Sequence, residues 1–336
     1  MTYKNVRSIL RDNEEKNLPL TKRLESIFDA IAVKLNGRQL KEFNNYCTTI
    51  LDALDLFLNG ERYEAFQLLF SIYFAEDNQS LDIFELEEGE ELYRMRCVDH
   101  YTQFSPEEMY HIPFQLRSKV GNERYSVSGL PSFYLGSSVY DCWEETKRQN
   151  IDYSNVAIFT ISKNLSFVNM ILPDDDRIIK NYSKLPLIIA CQLKAVNTDE
   201  KFIPEYIIPQ LIMDCLIHAR KGGKSLCGIR YESNFQNSKD LIFPYKWNKN
   251  LFVNYVVPPF EISEEGVCPK IKELFHFNGV TSYAEIKMLN IGLGGFTPKD
   301  QYQRSLFGLI EDKLKFLKAK EGMLTYHGWR GALATS

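Results

Sequence analysis

No proline interrupts the chain between Pro19 and Pro106, and over most of that span apolar residues recur at helical spacing. Leu24, Ile27, Ile31 and Leu35 form one series, Ile50, Leu51, Leu54 and Leu58 a second, and Phe66, Leu69, Ile72 and Tyr73 a third. A period of 3.6 residues lays a stripe along one helix face that has to be buried against a neighbour, so residues 1–75 are expected to form a small helical bundle. The pattern then breaks. Residues 76–91 (EDNQSLDIFELEEGEE) are dense in acid and end in a turn at Gly89, which reads as a solvated linker with one helix turn. The LYRMR segment at 92–96 opens a second region as a β-strand.

The most informative stretch of that region is 111–145, HIPFQLRSKVGNERYSVSGLPSFYLGSSVYDCWEE. Ser128-Gly129-Leu130-Pro131 is turn chemistry, because glycine tolerates positive φ and proline fixes its own. The flanking segments 124–127 and 132–135 have β character, so a hairpin is expected across the turn. Gly136-Ser137-Ser138 breaks the second strand, and the serines can cap a helix that runs through Tyr140, Trp143 and Glu144. A hairpin followed by a capped helix gathers Arg124, Tyr134 and Glu145 at one cleft.

Farther along, residues 156–161 and 165–168 read as strands separated by a Lys163-Asn164 turn. Asp174-Asp175-Asp176 lacks the turn and glutamate of a calcium loop, so no metal site is expected. In PEYIIPQLIMDCLIHARKGGKSLCGIRYESN (204–234), Ile207, Leu211, Cys215, Leu216 and Ala219 form an apolar helix face ended by Gly222-Gly223. A strand over 226–231 follows and stops at Glu232-Ser233-Asn234. Residues 251–257 read as a final core strand. Gly292-Leu293-Gly294-Gly295 lacks the lysine of a phosphate loop and reads as a turn. Thr297-Pro298-Lys299-Asp300 is a helix start, followed by an amphipathic helix through Tyr302, Leu306, Leu309, Lys313 and Phe316. There is no GxSxG nucleophile elbow.

With 336 residues the chain is long enough for two domains and a substantial core. A net charge of -4 argues against nucleic-acid coating or membrane-surface binding, while leaving room for a local basic pocket. No stretch approaches a membrane span, and the polar start is no signal peptide. The seven cysteines are odd in number and without CxxC spacing, so they read as reduced thiols in the core of a cytoplasmic protein.

The LYRMR strand, the block around Arg124, Tyr134 and Glu145, and the helix–strand block ending at Ser233 together resemble the RES domain. This is a bacterial family of NAD-consuming toxins with an ADP-ribosyltransferase-like fold. The resemblance covers roughly residues 92–260 and implies an α+β domain with a split β-core, preceded by the all-α bundle. The boundaries expected are 1–88 for the helical domain, 89–260 for the RES domain and 261–336 for a partly helical carboxy-terminal extension. The bundle resembles the HEPN-type domain of some RES proteins. The arginine–histidine pair of HEPN ribonucleases is missing, because the first histidine of the chain is His100.

What the resemblance implies is cleavage of the nicotinamide–ribose bond of NAD+, the substrate, with no cofactor and no metal. Arg124 and Arg94 would hold phosphate oxygens by forked hydrogen bonds. Tyr134 would position the nicotinamide ribose, and Glu145 would stabilise an oxocarbenium-like transition state. Ser233, His111, Arg117 and Tyr125 complete the expected substrate-binding set. An antitoxin-like protein partner and a homo-oligomer are further expectations, and neither a membrane nor a nucleic-acid partner is expected. Two alternatives keep or lose the chemistry: a transferase that places ADP-ribose on a protein or nucleic acid, and an inactive module that binds a nucleotide or a partner. Asn122-Glu123 before Arg124, where the short toxins have a glycine-containing turn, is a departure from the family pattern.

Overall fold

The amino-terminal periodicity becomes four helices in a computed structural model: α1 (Tyr3–Asp12), α2 (Leu20–Ala32), α3 (Gly37–Leu58) and α4 (Arg62–Tyr73). The structure describes residues 1–12, 17–75, 81–100, 102–173, 175–233, 249–284, 302–303 and 305–332, with side chains as far as 319. The chain divides into two compact units: 1–84, 118–130 and 166–234 in the first, and 85–117, 131–165 and 235–336 in the second. These do not follow the boundaries 1–88, 89–260 and 261–336. The reason lies in what the helices bury.

In the first unit α3 packs on α6 (Leu185–Gln192), and α4 packs on α7 (Ile207–Lys221). The stripes Phe43, Cys47, Ile50 and Leu54 of α3 and Ala65, Leu69 and Tyr73 of α4 are buried there. The segment from Leu185 to Cys191 in α6 is buried throughout, and α7 buries the face foreseen from its sequence. Each fully buried Leu, Ile or Phe contributes about 1.5–3 kcal/mol, so the amino-terminal helices share one core with α6 and α7 and are not a domain apart. Two ion pairs lock them in place. Arg23 meets Glu205 with both side chains buried, and Arg7 donates to both carboxylate oxygens of Glu232 at 2.7 Å. The helices flank β5 (Leu165–Asn169) and β6 (Gly228–Glu232), which pair in parallel with Phe167 opposite Gly228. A parallel pair needs a long crossover, and α6 and α7 supply it.

The second unit is built on strands in the order β7-β3-β2-β4-β8, all antiparallel: Val253–Val257, Phe133–Gly136, Glu91–Cys97, Ser154–Ile161 and Phe275–Ser282. Alternation along these strands gives the sheet two faces. One carries Tyr93, Met95, Val156 and Ile158 under α5 (Val139–Glu145) and α9 (Leu306–Ala332), whose Val139, Tyr140, Phe307, Ile310 and Leu314 close the core. The other gathers the rings of Tyr110, Phe133, Phe159 and Phe275, with centroids 5.1–5.6 Å apart. Gly279 lets α9 approach β8, since a Cβ there would stand 3.1 Å from Cβ of Leu317. A short helix, α8 (Pro269–Leu274), leads into β8.

Several expectations change. The acidic stretch holds a strand, β1 (Ile83–Leu86), because Ile83, Phe84 and Leu86 supply enough β character between the acids. No strand forms over 124–127, so the hairpin is absent; β3 finds its partners in β2 and β7 instead. The strand at 253–257 is not the last, since β8 follows and pairs along β4. The final helix buries Phe307, Ile310 and Leu314, one register off the expected face, and leaves Phe316 exposed. Gly292 to Gly295 and Thr297 to Asp300 lie outside the described residues.

Candidate functional site

Five of the residues singled out above lie in the second unit: Arg94, His111, Arg117, Tyr134 and Glu145. Tyr134 stands on β3 opposite Val256 of β7, and the next pair on the same face is Gly136 with Asn254. Tyr134 and Asn254 are therefore diagonal neighbours, about 7 Å apart at the backbone in such a ladder. The Asn254 amide donates a 2.8 Å hydrogen bond to Oε1 of Glu145, at the end of α5. Register and hydrogen bond together bring Glu145 to the sheet face that carries Tyr134.

The approach of α5 follows from its start. Ser138 is the N-cap; its Oγ accepts from the Asp141 N–H at 3.0 Å and donates to the Leu251 carbonyl at 2.8 Å. This fixes the helix against the end of β3, where Gly136 leaves room: a Cβ there would meet Sγ of Cys142 at 2.8 Å. The paired glutamates then divide their roles. Glu144 is fully buried and binds Arg148 through both oxygens, at 2.8 and 3.1 Å, while Glu145 is exposed. Lys147 and Arg148 both have positive φ, 58° and 53°, so the chain leaves α5 through a strained turn.

Arg94 lies where β2 and β3 part. The strands share a single registered pair, Tyr93 with Gly136. Beyond it the Arg94 guanidinium reaches across to the Tyr134 carbonyl at 2.7 Å. It also lies 5.4 Å from the Phe133 ring centroid, on the aromatic side of the sheet. Among the described residues its buried Nε has no hydrogen-bond partner and the guanidinium no carboxylate partner. Burial, and then the like charge of Arg96, push its pKa down to about 10. Arg96, two residues on along β2, donates to the Glu108 carbonyl and lies 5.2 Å from the Phe104 ring.

His111 is spent on the fold. It is fully buried, its Nδ1 bonds the Ile112 carbonyl at 2.7 Å, and its Nε2 accepts from the Cys268 N–H at 2.8 Å. Burial pushes its pKa down to about 4, so it is neutral, and neither ring nitrogen is left for a substrate. Arg117 is exposed and bonds the Phe114 carbonyl of its own turn at 3.3 Å.

The other three residues lie in the first unit. Arg124 donates through Nη1 to the carbonyls of Cys191 and Leu193, at 2.7 and 2.9 Å, and lies 5.3 Å from the Tyr206 ring. Among the described residues its Nη2 and Nε make no hydrogen bond. Tyr125 is fully buried against Tyr231, with ring centroids 4.8 Å apart. Ser233 directly follows β6 and is fully buried. Among the described residues no group of three or more His, Cys, Asp or Glu side chains could hold a metal ion, and Asp175 pairs with Arg177. None of the seven cysteines is in a disulfide, and all are buried except half-buried Cys97.

Sequence reasoning missed Asn254 and Arg96. The signal for Asn254 was its isolation in an apolar strand, VNYVV, where a buried amide needs a partner. For Arg96 it was the i, i+2 spacing from Arg94, which puts both on one face of a strand.

The chain is similar to a protein of Bacillus subtilis (strain 168) named "Putative toxin YopC": 25% identical over 272 residues, covering 72% of this chain and 59% of that relative. The chain thus spans about three fifths of the relative's length. No family model matches, and no solved structure matches. No helix among the described residues is long and apolar enough to cross a membrane.

Proposed function

We propose that this chain is a toxin that destroys NAD+ by cleaving its nicotinamide–ribose bond. The observation that carries the reading is the presentation of Glu145 by Asn254 on the sheet face that also bears Tyr134. In the reaction the C–N bond breaks and its electron pair goes to the ring, so nicotinamide leaves neutral and needs no general acid. The ribose carbon gains oxocarbenium character, which a carboxylate at the position of Glu145 stabilises, and water or phosphate then adds to it. Tyr134 packs on the nicotinamide riboside, and Arg94 binds phosphate oxygens.

Three further points support the reading. The resemblance to RES domains rests on the residues that have these roles. Arg94 is a cation with no carboxylate beside it among the described residues. The curated relative carries the name of a toxin, and an antitoxin-like partner fits with that.

The test is NAD+ consumption by the purified chain in phosphate and in phosphate-free buffer, with products identified by mass. Nicotinamide with ADP-ribose means hydrolysis, and ADP-ribose 1″-phosphate means phosphorolysis. Mass gained by an added protein or nucleic acid means a transferase. Turnover that is unchanged in Glu145→Gln removes Glu145 from the mechanism, and the absence of turnover in every condition sinks the reading.

A further inference from the structure

Ser132 stands directly before β3 and is only 7% exposed, and among the described residues its Oγ has no hydrogen-bond partner. A hydroxyl sealed from water without a partner destabilises the fold, and nearly all buried polar groups in folded chains are paired. Side chains alternate along a strand, so Ser132 lies on the same side as Tyr134, and Phe133 and Leu135 lie on the other. Phe133 is taken up on its own side by the rings of Tyr110, Phe159 and Phe275. The register with β7 runs on through Phe133 and Val257, whereas that with β2 ends at Gly136. Past Gly136, then, the side of β3 that bears Tyr134 and Ser132 is bordered by β7 and not by a registered β2.

The residues on this side come in a definite order. Glu145 is held by Asn254, which is registered opposite Gly136. Half-buried Tyr134 is next, and Ser132 lies beyond it, about 7 Å farther along the chain. In the proposed reaction Glu145 faces the ribose and Tyr134 the nicotinamide ring. The same direction, continued past the ring, leads to the ring's one polar substituent, the carboxamide. A carboxamide offers an acceptor oxygen and an NH2 donor, and a serine hydroxyl both donates and accepts. We infer that Ser132 binds the carboxamide of the departing nicotinamide and so determines the preference for that ring substituent. The inference rests on the NAD+ reading and assigns Ser132 as a specificity-determining residue. Its hydroxyl finds in the substrate the partner it lacks among the described residues.

The test compares full-length wild type and Ser132→Ala on NAD+ and on the analogue in which unsubstituted pyridine replaces nicotinamide. The analogue is read both as a substrate, by kcat/KM, and as an inhibitor of NAD+ cleavage, so that slow turnover does not hide it. The different basicity of the two leaving groups acts on both proteins alike and drops out of the comparison. Ser132→Ala is expected to lower kcat/KM for NAD+ ~10-fold, as loss of one hydrogen bond does, and to leave both readings for the analogue unchanged. A purely structural effect would weaken both dinucleotides by the same factor. Without substrate, the Tm of Ser132→Ala stays level or rises, because an unpaired buried hydroxyl is gone. Ser132→Cys, with a weaker donor, falls between the two on NAD+. Unchanged NAD+ kinetics in Ser132→Ala, or equal losses on both dinucleotides, overturn the inference and leave the NAD+ reading standing. A clear fall in Tm does the same, since it would mean that the hydroxyl is satisfied within the fold. No cleavage of NAD+ by wild type overturns both.

Discussion

The side chain of Asn254 donates to Glu145 Oε1 at 2.8 Å, from a strand position whose side chain is almost fully buried. A buried amide aimed at an exposed carboxylate positions it, and misplacement of a reacting group by an ångström can cost up to about 100-fold in rate. If the proposed NAD+ cleavage holds, Asn254→Ala is expected to lower its kcat about 10-fold or more with little change in KM. Asn254→Asp sets carboxylate against carboxylate, which raises the pKa of one of them and moves the acid limb of the pH–rate profile upward. A profile and kcat identical to wild type in both variants would show that the contact does no positioning.

His111 gives the fold a pH dependence. Its pKa is held near 4 in the folded chain, mainly by burial, against 6.5 as the ordinary value. Between those pH values the unfolded chain binds the proton and the folded chain does not, so stability is lost as pH falls from about 6.5 to about 4 and not beyond. The full loss is on the order of 3 kcal/mol. Urea unfolding at pH 7, 5 and 4 measures it. Replacing His111 by Gln, which can both donate and accept, should flatten that portion of the curve, and an unaltered slope would assign it to other groups.

How much of this was legible follows from where each signal comes from. The helices of the amino-terminal region, the Ser138 cap and the strands β2, β4, β6 and β7 rest on local periodicity and turn chemistry, and they form as read. The partners of those elements are set by the tertiary fold. Arg124 to Val127 has β character, yet Arg124 bonds carbonyls of Cys191 and Leu193, more than sixty positions away, and no hairpin forms. His111 illustrates the same limit, since its satisfaction by Cys268 depends on a contact that nothing near it in sequence signals. Glu144 and Glu145 are identical neighbours in the sequence; only the direction of α5 makes one a buried partner of Arg148 and the other exposed.

Arg7 ties the first helix to the strand end that precedes Ser233. Its Nη2 donates to both oxygens of Glu232, whose side chain is 2% exposed, and Gln192 lies 3.5 Å from the same carboxylate. Removing one partner of a buried pair strands the other charge, at a cost of about 3–5 kcal/mol. Arg7→Ala should therefore lower the denaturation midpoint sharply. Arg7→Ala with Glu232→Gln should recover much of the loss, because no bare carboxylate is left inside. A loss below about 1 kcal/mol for Arg7→Ala would place this pair with ordinary surface ion pairs.

At Gly136 α5 comes close to the sheet. A Cβ there would lie 2.8 Å from Cys142 Sγ, 3.3 Å from Oδ2 of Asp141 and 3.3 Å from the Ser138 carbonyl. The sulfur is itself held, 3.3 Å from the Tyr93 carbonyl. Overpacking of this kind costs about 1–3 kcal/mol, and here it pushes directly on the helix that ends at Glu145. Gly136→Ala should lower Tm and, with it, the proposed NAD+ cleavage. Cys142→Ala removes the sulfur and opens the space, so the double variant should be closer in stability to Cys142→Ala alone than to Gly136→Ala. Strictly additive losses in the double variant would mean that the Ser138 carbonyl, a backbone atom that cannot be trimmed, sets the clash instead.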